Sequence, residues 1–173
     1  MKNFSLITIL ILIFAFNISA QDGGKKAPNF KLENLSGEYV ELKGLLGKGP
    51  VLVSFWATWC KPCVEELSEY KKLYSEYKSK GLSVVAISTD DEKTVAKVKP
   101  FVKSKGYDFP VLLDTNSEVA RKFYVQNVPY TFLLDEQGNI VYSHLGYKKG
   151  DELQVKKRIE NLLSSSSSEK NTN

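Results

Sequence analysis

The hydrophobic positions of the chain form short strand-like runs that alternate with longer helix-like patterns. Residues 27–32 and 39–42 alternate apolar and polar side chains, which predicts two short strands. Residues 51–56 are nearly all apolar and rich in β-branched and aromatic side chains, which predicts a strand buried on both faces. Residues 60–80 repeat apolar positions at three- and four-residue steps, which predicts an amphipathic helix that ends at Gly81.

The rest of the chain continues this alternation. It contains a predicted strand over 82–88, a helix over 94–105 kinked or broken by Pro100, a strand over 110–113, a helix over 117–125, a hairpin of strands over 130–134 and 140–145, and a final helix over 151–163. Alternating strands and helices favour parallel strands with crossover helices, and the hairpin adds antiparallel strands. The predicted fold is an α/β three-layer sandwich around a central mixed sheet, in one domain over residues 27–163. Residues 164–173 are predicted to be a disordered polar tail.

The first 20 residues have the layout of a secretory signal peptide. Lys2 provides a positive start, an apolar run follows over residues 4–16, and the segment ends in the small residues Ser19 and Ala20. The run is shorter than the about 20 residues of a spanning helix, and an uncleaved membrane anchor is the alternative. We expect an exported protein of the periplasm or cell envelope, which contacts the membrane only if this segment is retained.

The charge of the chain argues against a nucleic-acid partner. It has 24 Lys and Arg against 20 Asp and Glu, a formal net charge of +4, and the two signs are interleaved. A nucleic-acid surface would show a basic stripe or patch, so no nucleic-acid partner is expected. The small excess of cations is better interpreted as a feature that favours solubility.

Cys60 and Cys63 are the two cysteines of the chain. A disulfide between residues this close closes a very small loop and stabilises a fold little, so a redox role is favoured. Cys60 follows a buried strand at the predicted start of a helix, where unpaired N–H groups and the helix dipole favour a thiolate. Cys63 lies one turn later on the apolar stripe. Cys60 is therefore the predicted attacking thiol and Cys63 the thiol that resolves the mixed disulfide.

The residues around the two cysteines agree with this interpretation. Lys61 adds a cation, and Pro62 suits the first helical turn, where its missing N–H costs no hydrogen bond. An inert disulfide and a structural metal half-site are the alternatives. Zinc needs four ligands, and His144 is the single histidine, far along the chain. No metal and no cofactor are expected.

The stretch FWATWCKPC over residues 55–63 resembles the thioredoxin superfamily, and the wider pattern resembles its exported TlpA/ResA-like branch. The sequence VPYT over 128–131 is similar to the cis-proline loop of that family. The helix–strand segment over 94–113 is similar to the central insertion of the branch, and residues 28–30 are similar to its N-terminal β-hairpin. The resemblance spans about residues 27–163. It implies a thioredoxin-like fold with that hairpin and insertion, and a thiol–disulfide oxidoreductase acting on protein disulfides.

Glu66 is the predicted acid of the site. Many thioredoxins carry a buried aspartate at the position of Ser54, whereas this chain has Glu66 three residues after Cys63, where the resembled branch has an acid. We interpret Glu66 as the group that relays protons to and from the Cys63 sulfur. The alternative is a solvated helix glutamate.

The substrate is expected to bind beside the dithiol. The predicted substrate-binding residues are Trp59, Lys61, Pro62, Val128, Pro129 and Tyr130. The resemblance implies a cis peptide bond at Pro129, which would leave neighbouring backbone groups free to pair with an extended substrate. Trp59 is expected to shield the active-site surface, and Trp56 to lie in the core. Core packing alone is the alternative for Trp59 and for Tyr130, and an ordinary trans proline is the alternative at Pro129.

The resemblance favours a reductant of protein disulfides, for instance in cytochrome c maturation with apocytochrome c as substrate. Such a protein would receive electrons from a membrane thiol carrier, and an oxidant or isomerase is the reverse alternative. A peroxiredoxin-like peroxidase would need Thr or Ser three residues before its reactive cysteine and a proline further upstream. Ala57 and Val53 hold those positions before Cys60. A copper or zinc carrier is a third hypothesis.

Overall fold

The computed structural model describes residues 24–170, with side chains as far as residue 165. The strands of this part are β1 (Lys31–Asn34), β2 (Tyr39–Glu41), β3 (Val51–Trp56), β4 (Ser83–Ser88), β5 (Val111–Leu113), β6 (Tyr130–Leu134) and β7 (Ile140–Leu145). The α-helices are α1 (Lys61–Tyr77), α2 (Val98–Lys105), α3 (Glu118–Lys122) and α4 (Asp151–Lys170). The predicted order of elements is confirmed. The signal peptide predicted over residues 1–20 lies outside the described residues, among which no helix has the length and apolarity needed to span a membrane.

All seven strands join one mixed sheet in the order β2-β1-β5-β4-β3-β6-β7. β3, β4 and β5 run parallel, and α1 and α2 are the crossovers between them. β6 pairs antiparallel with β3, with Ser54 opposite Thr131, and β7 completes the C-terminal hairpin. The N-terminal hairpin of β1 and β2 extends the sheet beyond β5. The carboxyl end of β3, which precedes the cysteines, therefore lies between β4 and the start of β6.

The side chains of β3 alternate between two hydrophobic layers, and all of them are buried. Leu52 and Trp56 pack in the layer that holds the buried residues of α1, α2 and α4. Val53 and Phe55 pack in the layer beneath α3. Burying a side chain of this size contributes about 1.5–3 kcal/mol, so the central strand is a strong anchor for the turn that follows it. The predicted three-layer α/β/α sandwich is confirmed.

Gly81 ends the helical region that begins at Cys60, as predicted. A short 3-10 segment over Lys78–Lys80 follows α1, and Gly81 then adopts a left-handed conformation with φ of 107°. A Cβ atom at this position would lie 2.3 Å from the carbonyl oxygen of Lys48. The position therefore requires glycine both for its backbone conformation and for the close approach of the neighbouring loop.

The structure differs from the sequence prediction at Pro100 and at the C-terminus. Pro100 does not break a helix over 94–105, because a 3-10 segment precedes α2 and places Pro100 in the first turn, where no intrahelical N–H bond is lost. The tail predicted to be disordered over 164–173 is helical as far as Lys170. The hydroxyls of Ser164 and Ser165 donate to carbonyl oxygens of the preceding turn, so these serines fit a helix.

Candidate active site

The dithiol lies where β3 leads into α1, as predicted. Cys60 is the N-cap residue of α1 and has an extended backbone conformation. Its Sγ accepts a hydrogen bond from the Cys63 N–H at 3.3 Å, which is one of the N–H groups that a helix leaves without a partner. Pro62 lies in the first turn. The helix thus directs a backbone donor at the Cys60 sulfur, a setting that favours the thiolate.

The two sulfurs form a disulfide with an S–S distance of 2.01 Å. Cys60 keeps 6% of its surface exposed, whereas Cys63 is fully buried. Lys61 and Pro62 are exposed beside them. An incoming disulfide therefore meets Cys60 first, and Cys63 is shielded from it, which supports the predicted order of attack and resolution.

Glu66 is 1% exposed, one turn after Cys63 on α1, so it is not a solvated helix residue. Its Oε2 accepts a hydrogen bond from Ser54 Oγ at 2.8 Å, and its Oε1 accepts from Thr131 Oγ1 at 3.0 Å and from Tyr70 OH at 3.1 Å. Burial raises the pKa of Glu66 from 4.5 to about 7, although these hydrogen bonds act against the rise. The carboxyl can therefore hold or release a proton near neutral pH.

The predicted cis-proline loop is confirmed, since the peptide bond between Val128 and Pro129 is cis. The loop leads directly into β6, whose Tyr130 lies opposite Phe55 of β3. This pairing brings the loop beside the end of β3, where the turn to the dithiol begins. The sheet thus joins two segments that are about 70 positions apart in the chain, from residue 60 to residue 129.

A recess of about 260 Å³ connects this loop to the dithiol turn. Trp59 and Val128 both line it, together with Asn127. Trp59 is 66% exposed and presents an apolar surface to solvent, whereas Trp56 is fully buried in the core as predicted. The ring of Tyr130 stacks on that of Phe132 with centroids 4.7 Å apart, which gives it a packing contact inside the hydrophobic layer.

Asp90 is a fully buried carboxylate just beyond the end of β4 that was not predicted from the sequence. It accepts hydrogen bonds from both the N–H and the hydroxyl of Thr58, in the turn before Cys60. The sequence signal was weak, because Asp90 lies within a run of polar residues, Ser88 to Thr94, that is typical of a solvated loop.

Comparison with known proteins agrees with this geometry. Residues 23–143 match the model of the AhpC/TSA family. The chain is 37% identical over 161 residues to the thiol–disulfide oxidoreductase ResA of Bacillus cereus, covering 87% of this chain and 91% of that protein. It is 40% identical over 134 residues to ResA of Bacillus subtilis, covering 78% and 73%. The solution structure of an uncharacterized thioredoxin-like protein from Porphyromonas gingivalis has a TM-score of 0.68 and 34% identity, covering 82% of this chain and 95% of that one.

The two Bacillus relatives are named as thiol–disulfide oxidoreductases, and the Cys60–Cys63 dithiol of this chain allows that activity. Proteins that carry disulfides are the substrate class this activity implies. The chain belongs to the AhpC/TSA family and, within it, to the thiol–disulfide oxidoreductases similar to ResA.

Proposed function

We propose that the chain is an exported reductant of protein disulfides in the cell envelope. The observation that carries this proposal is the asymmetry of the dithiol. Cys60 meets solvent at a helix N-terminus, and Cys63 is shielded one turn behind it. This arrangement suits disulfide exchange, in which one thiol attacks an external disulfide and the second thiol reacts only with the mixed disulfide.

The reaction begins when the Cys60 thiolate attacks one sulfur of the substrate disulfide. A mixed disulfide forms, and the other substrate sulfur leaves as a thiolate that takes up a proton. Cys63 then passes its proton to the carboxylate of Glu66 and attacks the Cys60 sulfur, which releases the second substrate sulfur as a thiolate that takes up a proton. Two electrons move from the dithiol to the substrate, and the chain ends with its Cys60–Cys63 disulfide.

The surroundings of the dithiol support the reducing direction. A strong disulfide oxidant owes its high potential to stabilisation of its reduced, thiolate form. Here two buried acids, Glu66 and Asp90, lie on the elements that hold the dithiol, and a negative charge nearby disfavours a thiolate. This environment favours the disulfide form of the chain and makes the dithiol a better electron donor.

The substrate is held by the surface around the dithiol. We propose that backbone groups next to Pro129 pair with an extended segment of the substrate protein, and that Trp59 and Val128 contact its side chains in the shared recess. Lys61 and Pro62 follow Cys60 directly in the chain and are exposed, and we propose that they also contact the substrate. Apocytochrome c is the proposed substrate, and a membrane thiol carrier is the proposed source of electrons.

The test is to trap substrates with the Cys63→Ala variant. Without Cys63 the mixed disulfide on Cys60 cannot be resolved, so substrate proteins remain covalently attached and are identified after non-reducing electrophoresis. The Cys60→Ala variant is the matched control and should trap none. Equal trapping by both variants would contradict the assigned order of attack.

The reduction potential tests the direction of electron flow. We expect a potential near or below about −230 mV, whereas a value near about −120 mV would identify an oxidant. Equilibration of the dithiol with glutathione buffers gives this value. N-terminal sequencing of the protein from the cell envelope tests the proposed cleavage of residues 1–20.

A further inference from the structure

Asp90 is an acidic side chain that the reaction just described does not use, and it is 0% exposed. Its Oδ1 accepts a hydrogen bond from Thr58 Oγ1 at 2.5 Å, and its Oδ2 accepts from Thr58 N–H at 2.8 Å. The hydroxyl of Ser88 also donates to Oδ2 at 2.8 Å and accepts from the Asp90 N–H at 3.1 Å. Ser88 thus fixes the carboxylate, and the carboxylate in turn holds Thr58 by two bonds.

Thr58 lies in the turn between β3 and α1, two residues before Cys60. The Cys60 N–H closes that turn by donating to the Ala57 carbonyl at 3.1 Å. The neighbouring Thr89 N–H donates to the Trp56 carbonyl at 2.8 Å. The residues that follow β4 therefore hold this part of the chain by two contacts: the bond from Thr89 to Trp56 and the bonds from Thr58 to the Asp90 carboxylate.

A neutral side chain would fill this position without the cost of burying a charge. A buried carboxylate is tolerated only when its oxygens are hydrogen-bonded, and two of the three donors here belong to the turn that presents Cys60. The distance from this charge to the Cys60 sulfur is limited by the short stretch of chain between them. From the 2.8 Å contact at Thr58 N–H and the span of two residues, the carboxylate lies within about 14 Å of the Cys60 sulfur.

We propose that Asp90 is a positioning residue of the dithiol, which acts through Thr58 to fix the turn that presents Cys60 and whose buried charge opposes the Cys60 thiolate. The proposal rests on a redox-active dithiol but on no particular substrate or direction of electron flow. A like charge at this distance, in a medium of effective dielectric constant about 20, changes a pKa by about one unit. It therefore changes the thiolate fraction about tenfold at a pH below the pKa.

The test of the charge compares Asp90→Asn with Asp91→Asn in the reduced full-length chain. The measurement is the rate at which iodoacetamide modifies Cys60, followed from pH 5 to 10. Asn keeps the size of the side chain and removes the charge, so the midpoint of the profile should fall by about one pH unit in Asp90→Asn. Asp91 is exposed and bonds within its own loop, so Asp91→Asn should retain the original midpoint.

The same variants have an expected reduction potential. A tenfold change in the equilibrium constant of a two-electron couple is about 30 mV, so Asp90→Asn should be up to about 30 mV less reducing. Equal midpoints for Asp90→Asn and Asp91→Asn would overturn the proposed action of the charge. A different result would contradict the proposed redox function: in that case Cys60 of the unaltered chain would not react with iodoacetamide at any pH.

Thr58→Val tests the positioning separately. Valine has nearly the shape of threonine and keeps the backbone N–H, so this variant retains the charge of Asp90 and loses only the 2.5 Å bond. We expect the alkylation midpoint to stay in place and the rate of reduction of insulin disulfides to fall severalfold. An unchanged rate would overturn the positioning role, and this result can be obtained even if Asp90→Asn does not fold.

Discussion

Replacing Glu66 by glutamine should change how the stability of the protein depends on pH. Glu66 is 1% exposed, and its carboxyl is surrounded by the hydroxyls of Ser54, Tyr70 and Thr131. Glutamine has almost the same shape and carries no titrating proton. The variant therefore removes the ionisation of a buried acid while disturbing the packing little.

The magnitude follows from the pKa. Burial raises the pKa of Glu66 from 4.5 to about 7, and one pKa unit corresponds to about 1.4 kcal/mol. Between these two values the unfolded chain ionises Glu66 while the folded protein keeps the proton, so the free energy of unfolding falls as the pH rises. The loss is about 3 kcal/mol at pH 7 and levels off above that pH, once the folded protein has also ionised Glu66. Well below pH 4.5 Glu66 is protonated in both the folded and the unfolded protein, so its ionisation does not change the free energy of unfolding.

The assay is urea unfolding at pH 4, 6 and 8. The protein is kept oxidised, because the cysteines do not titrate while they form the disulfide. The free energy of unfolding of Glu66→Gln minus that of the unaltered chain should rise by about 3 kcal/mol between pH 4 and pH 8. Glu65→Gln is the matched control, because Glu65 is the exposed neighbour on the same helix. A difference for Glu66→Gln that stays constant across this range would refute the argument that burial dominates.

The same variant tests the proposed proton transfer. Glutamine cannot accept the Cys63 proton, so release of substrate from the mixed disulfide should slow, and the step should lose its dependence on a group that titrates near pH 7. Single-turnover reduction of insulin, followed from pH 5 to 9, measures this. A pH–rate profile identical to that of the unaltered chain would remove Glu66 from the mechanism.

Two further substitutions test the scaffold and the substrate surface. Asp114 is 1% exposed and accepts hydrogen bonds from the N–H groups of Val119 and Ala120 in α3. Asp114→Ala should therefore lower the free energy of unfolding, measured in urea, by about 1–2 kcal/mol. An unaltered urea midpoint would contradict this capping role. Trp59 is 66% exposed, so Trp59→Ala should change the free energy of unfolding by less than about 0.5 kcal/mol and should slow the reduction of insulin. A large loss of stability with normal activity would contradict the assignment of Trp59 to the substrate surface.

The sequence predicted those parts of the fold that depend on local patterns. The bounds of β3, β6 and β7 agree with the prediction, because a run of apolar β-forming residues and a Gly-containing hairpin turn are strong local signals. The start of α1 at the cysteines also agrees. The last helix was predicted to end at residue 163 but continues to Lys170, because a serine run is only weakly disfavoured in a helix and composition alone does not decide whether a preceding helix continues through it.

The partners of the buried acids could not be predicted in the same way. The family resemblance pointed to Glu66 among the adjacent glutamates of one amphipathic helix, but the burial of Glu66 and its hydrogen-bond partners are visible only in the packed structure. The hydroxyl of Thr131 reaches Glu66 because β6 pairs with β3 in a register that places Thr131 opposite Ser54. That register is set by the whole sheet and leaves no trace near Glu66 in the sequence.

The reactivity of Cys60 therefore depends on two opposing influences of different origin. The first is local: the N-terminus of α1 directs the Cys63 N–H at the sulfur and favours the thiolate. The second comes from two buried acids whose charges disfavour the thiolate: Glu66 lies one turn after Cys63 on the same helix, and Asp90 is brought in by the pairing of β4 with β3. A CxxC motif at a helix start reveals only the first influence. Proteins that share the motif can thus differ in reduction potential, because the potential is set by the difference between the two.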